Sequence, residues 1–260
     1  MSKNESSVSP DRRTVLQVAG AGSALALAGC IGDSGGTADD ADGGNGDGNG
    51  DEAAGLEPAK ATDVDRVAAD PTDLPDPVDW SEPRHHELEM STVEVTAEIE
   101  PGVTFDYMTF DGRVPGPMVR VRRGDTVEFA LHNEAESAVT HNIDFHAVYG
   151  PGGGADDTTI APGESATIEF TAMYPGSHVY HCAVANMDRH ISAGMYGSIV
   201  VEPEDGLPEV DRELYLGQNE LYTTGSAGEE GHHAFDFAAM KREEPTYVCL
   251  NGEAYGFTPQ

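Results

Sequence analysis

Within the fifteen residues His181 to Met195 the chain places a thiol at Cys182, an imidazole at His190 and a thioether at Met195. Two imidazoles, a thiolate and a weak axial thioether form the ligand set of a blue-copper centre, where soft sulfur and borderline nitrogen select the metal. The second imidazole comes from His141, in the upstream run His141-Asn142-Ile143-Asp144-Phe145-His146. Singly, each residue has an ordinary reading: the cysteine and methionine fill core, and the histidines are satisfied polar groups. Together, His141, Cys182, His190 and Met195 make a candidate type 1 copper site.

Such ligands need strands to aim them. Side chains alternate faces along a strand, so His141, Ile143 and Phe145 share one face, and Asn142, Asp144 and His146 share the other. The two apolar residues mark the first face as inner. With Cys182 beside His141 on that face, His181 turns outward to join Asp144 and His146. Two outward imidazoles and a carboxylate begin a second metal site of harder ligands. Because His181 and Cys182 are neighbours, one covalent path links the two sites. His178 shares the parity of Cys182 but sits four residues earlier, roughly 13 Å along an extended strand and out of reach. His132, and the pairs His85-His86 and His232-His233, read as solvated groups that only titrate.

From Glu87 the chain runs in short alternating or apolar segments divided by turn residues: Val93–Glu98, Thr104–Phe110, Met118–Val121, Thr126–Leu131, Ala166–Phe170, Ser177–Cys182 and Tyr196–Val201. This spacing predicts an all-β sandwich over residues 84–202, with no helix of substance. Residues 203–212 read as a linker. A new β pattern begins near Glu213, with a polar loop over Gly225–His233, a short helix over Phe235–Lys241, a strand over Tyr247–Leu250 and a turn at Asn251-Gly252.

The flanks speak of export and salt. Asp11-Arg12-Arg13-Thr14-Val15-Leu16-Gln17 is a twin-arginine pattern, and Leu27-Ala28-Gly29-Cys30 is a lipobox-like end, so residues 1–30 read as a signal with Cys30 as the lipidation site. This predicts a protein anchored to the outer face of the cell membrane. Residues 31–83, rich in Gly and Asp, read as an acidic disordered tether. A formal net charge of −33 suits a salt-screened, halophile-like surface and argues against nucleic acid as a partner. With Cys30 and Cys182 assigned, Cys249 reads as a buried thiol and leaves no disulfide pair.

Val114-Pro115-Gly116-Pro117 and Arg123-Gly124-Asp125, followed by His141, Cys182, His190 and Met195, resemble the first cupredoxin domain of copper-containing nitrite reductases of a haloarchaeal type, from about Glu94 to Pro203. The resemblance implies a cupredoxin-like Greek-key β-sandwich, with copper as the type 1 and type 2 cofactor. It implies His146 and His181 as type 2 ligands, and Asp144 as the catalytic group that hydrogen-bonds nitrite and delivers protons.

The implied reaction is reduction of nitrite to nitric oxide, the electron passing through Cys182 and His181 to a type 2 copper at a subunit interface in a homotrimer. The implied donor is a small cupredoxin or a cytochrome. In that family a second cupredoxin domain follows the linker, so residues 213–260 are expected to be an incomplete copy lacking the further type 2 ligand and a catalytic histidine. The loop of seven residues between Cys182 and His190 is shorter than the resemblance leads one to expect. The alternative function is a membrane-tethered blue-copper electron carrier. A phenol- or metal-oxidising multicopper enzyme needs His-x-His pairs, which the sequence does not contain.

Overall fold

The strand His85–Glu100 (β1) buries Met90 and Thr92 and then, after a change of phase at Val93-Glu94, Val95, Ala97 and Ile99. A computed structural model describes residues 55–149 and 151–258. The first half of β1 pairs in parallel with Thr126–Asn133 (β4), and its second half pairs antiparallel with Val103–Phe110 (β2). Ser165–Thr171 (β6) closes the far edge of this sheet, and Gly231–His233 (β10) adds a short parallel rung beside β2. A second sheet runs Val119–Arg122 (β3), Tyr196–Glu202 (β8), Gly176–His181 (β7) and Asp144–Phe145 (β5), in that order. The two sheets bear out the expected all-β sandwich.

The largely aliphatic core between them holds an aromatic cluster. The fully buried Phe145 has its ring 5.0 Å from Phe129, 5.3 Å from Phe170 and 5.4 Å from Tyr180, centroid to centroid. Edge-on and tilted ring pairs at such separations add about 0.5–1.5 kcal/mol each beyond area burial. β5 is only two residues long, so this packing, more than its ladder, holds it against β7.

The structure departs from the sequence reading in several places. The chain after β7 forms a six-residue helix, Met187–Ser192 (α1), entered through Asn186 at φ 62°, where no helix was expected. Residues 55–83, expected within a free tether, lie along the sandwich: Val67 and Ala69 are buried, and Ala68 bridges to Val114. Arg84 N–H, the Trp80 indole N–H and His86 all converge on the fully buried Asp125 carboxylate. His86 is thus a partner of a buried charge, not a free surface group.

Residues 203–258 also pack onto the first sandwich and form one compact unit with it. Gln218–Leu221 (β9) and Tyr247–Leu250 (β11) form a two-stranded sheet, and Phe237–Lys241 (α2) is capped by Asp236. His233, read as a surface histidine, is fully buried and bonds Thr223 and the Glu229 carbonyl. Cys249 is buried and free, as expected; burial pushes its thiol up to about 12. Among the described residues no helix is long and apolar enough to cross a membrane. The signal and lipidation readings, Cys30 included, lie outside the described residues.

Candidate metal centres

His141, Cys182 and His190 converge from three places in the fold. His141 sits in the loop entering β5, its backbone paired in both directions with Ile160. Asn133 steadies that loop by donating to the Val139 and Ile160 carbonyls. Cys182 follows β7 directly, and its N–H donates to the Met195 carbonyl at 3.2 Å. His190 lies on α1, whose C-terminal end is tied to β9 by the Asn219 side-chain amide donating to the Ser192 carbonyl.

The thiol Sγ is 3.5 Å from His190 Nδ1 and 3.9 Å from His141 Nδ1, and all three side chains are buried. Met195, fully buried, returns from α1 with its N–H on the His190 carbonyl. Burial, helped by the neighbouring His141 ring, pushes the His190 imidazole down to about 4, so it is neutral, with a lone pair to give, at neutral pH. Burial raises the Cys182 thiol, so a metal must displace its proton on binding. Two imidazole Nδ1 atoms beside a buried thiol fit a soft, thiophilic metal.

Asp144, His146 and His181 form the second cluster. Asp144 and His181 are direct partners in the β5–β7 ladder. His146 Nε2 and His181 Nε2 face each other at 3.1 Å, and Asp144 Oδ2 lies 3.9 Å from His146 Nε2. His181 Nδ1 is 3.1 Å from the Cys182 carbonyl. A carbonyl only accepts, so the ring proton belongs on Nδ1 and the Nε2 lone pair points into the cluster. His146 is half exposed, while His181, expected to face outward, is largely covered. The side chain of His146 therefore opens the cluster to solvent or to a further ligand.

Three residues that sequence reasoning passed over shape these clusters. The Asn142 carbonyl accepts the Ala183 N–H at 2.6 Å, and its amide donates to Thr159, lashing the two ligand loops together. Gly153, at φ +50°, lies so close to Asp144 that a Cβ there would fall 2.0 Å from Oδ1. The Glu94 carboxylate sits 3.7 Å from His141 Nε2, and the His141 ring beside it, together with the Ala138 N–H, holds its carboxyl below the usual range against the opposing effect of burial. His178 stays apart, bonded to the Tyr174 carbonyl.

Residues 91–206 match the sequence family described as multicopper oxidase. A copper-containing nitrite reductase of Neisseria meningitidis serogroup B is 48% identical over 189 residues, covering 73% of this chain and 48% of that protein. Over these residues the chain is similar to copper-containing nitrite reductases. Another such reductase, from Neorhizobium galegae, is 37% identical over 196 residues, 68% of this chain and 51% of that one.

Among solved structures, a copper nitrite reductase from Nitrosomonas europaea superposes with a TM-score of 0.58 at 37% identity, covering 67% of this chain and 59% of the other. A multicopper oxidase gives 0.53 at 32% identity, with 66% and 56% covered. The chain thus has a cupredoxin-like fold. It spans about half the length of the curated relatives it matches.

Proposed function

We propose that this chain binds copper at both clusters and takes part in reducing nitrite to nitric oxide. The observation that carries the reading is the pair of clusters set back to back around adjacent residues, with Cys182 in one and His181 in the other. His141, Cys182, His190 and Met195 would hold a type 1 copper, and His146 and His181 a type 2 copper. Bound copper would supply a one-electron couple at the first site and a positive seat for nitrite oxygens at the second.

The protein's own part is positioning and proton supply. Conversion of nitrite to nitric oxide and water takes one electron and two protons. The backbone between Cys182 and His181 provides a covalent path for the electron. Asp144, at the rim of the second cluster, is placed to hydrogen-bond nitrite and hand on protons as a general acid. His146 leaves the second cluster open on one side, which supports completion of the site by a further ligand across a subunit interface, in a homotrimer. A small cupredoxin or cytochrome would donate the electron. Export by the twin-arginine route and a lipid anchor at Cys30 would place the chain on the outer face of the membrane.

An electron carrier with one working copper is less favoured, because such a protein has no use for the Asp144, His146 and His181 cluster. The direct test follows nitric oxide with an electrode after adding nitrite and a reduced donor to the copper-loaded protein. Release of nitric oxide that disappears in the His146→Ala variant supports the reading; none from protein carrying both coppers overturns it.

A further inference from the structure

The buried imidazole of His141 has two faces with different neighbours. Nδ1 faces the Cys182 sulfur, whereas Nε2 is buried with no hydrogen-bond partner. The nearest anionic group to Nε2 is the Glu94 carboxylate, with Oε1 at 3.7 Å. That carboxylate is not free to wander, because the same Oε1 accepts the Ala138 N–H at 2.9 Å. It is also anchored at its root by β1, between Val93 and the buried Val95.

If Nδ1 gives its lone pair to a metal, the ring proton must sit on Nε2. A buried N–H 3.7 Å from a carboxylate oxygen is drawn to it, since a buried donor left unpaired is destabilising. Carboxylates placed behind metal-bound histidines fix the ring and raise its basicity.

We propose that Glu94 is a positioning residue for the first copper site, taking the Nε2–H of His141 and biasing the site toward its oxidised state. This inference rests on the copper reading of His141. The negative charge on Glu94 favours the more positive oxidation state, so its removal makes the site easier to reduce. The Arg189 side chain on α1 is a nearby positive charge acting on Glu94; it is unchanged in the variants below, so their difference reports Glu94 alone.

The test compares the copper-loaded protein with its Glu94→Gln and Glu89→Gln variants. Glu89 lies on the same strand with its side chain 83% exposed, and its substitution removes the same formal charge. The readouts are the midpoint potential of the blue site and the remote-nitrogen coupling of His141 by pulsed electron paramagnetic resonance.

Glu94→Gln is expected to keep the blue absorption, raise the potential and change the remote-nitrogen coupling, while Glu89→Gln moves neither. An unmoved potential in a blue Glu94→Gln protein, or an equal shift in Glu89→Gln, overturns the proposal. Failure of the unmodified protein to become blue on copper loading would instead remove the underlying assignment of His141.

Discussion

His181 and Cys182 are joined by one peptide bond yet belong to different clusters: His181 Nε2 meets His146 at 3.1 Å, and Cys182 Sγ meets His190 at 3.5 Å. Strand alternation at the end of β7 produces that split. A substitution at either residue should therefore damage one site and leave the other standing. Cys182→Ser is expected to abolish the intense blue absorption while the protein still takes up one copper. His181→Ala should stay blue and lose the second copper. Metal analysis beside visible spectra checks both, and loss of both coppers in either variant would argue against separate sites.

Asp144 stands opposite His181 in the ladder, with its oxygen 3.9 Å from His146 Nε2. Asp144→Asn keeps the shape and removes the acid. Nitrite turnover should fall by about 10²–10⁴-fold, the usual worth of a positioned proton donor, with both coppers retained. A fall explained by lost copper would make Asp144 a structural partner of His146 and no more.

Gly153 holds a left-handed φ beside Asp144, where an added Cβ would collide with Oδ1. Gly153→Ala should shift the Asp144 carboxylate and mimic Asp144→Asn in rate. The left-handed backbone adds a cost of roughly 1–2 kcal/mol for a non-glycine residue. Turnover equal to that of the unmodified protein would show that the loop relaxes away from Asp144.

His190 supplies a pH dependence with a definite sign. Its imidazole is held at about 4 in the fold against 6.5 for a free histidine, so between those values the unfolded chain binds the extra proton. Stability of the copper-free protein then rises with pH across this window, is fully present above about 6.5, and is lost as pH falls toward 4. The contribution is up to about 3 kcal/mol. Urea midpoints of chelator-treated protein at pH 7 and pH 4.5 should differ by more in the unmodified chain than in His190→Asn. Equal differences would remove His190 as the cause.

How much of this was readable in advance follows from the range of the contacts involved. The residues of the two clusters announced themselves by type, and alternation along two short segments separated His181 from Cys182, because that rule is local. Glu94 was not readable, since an acid between Val93 and Val95 looks like an ordinary outward strand residue. Its approach to His141 depends on how β1 passes the loop before β5. Gly153 looked like loop punctuation within Gly152-Gly153-Gly154.

The buried state of His233 was hidden for a related reason. Its partner strand β2 lies far upstream, and a Gly- and Glu-rich segment carries no periodic signal of such a pairing. The leader of residues 55–83 looked free because its composition is polar. It is held by a few deep anchors, Val67 and Ala69 among them, which average composition conceals.

The central claim is that two distinct copper sites share one pair of adjacent residues, and electron paramagnetic resonance of the copper-loaded protein tests it most directly. The account predicts two superimposed signals, one with the narrow copper splitting of a thiolate site and one with the wide splitting of an imidazole site. His146→Ala should remove only the wide one. A single signal at full copper loading, or a wide signal that survives substitution of both His146 and His181, would contradict it.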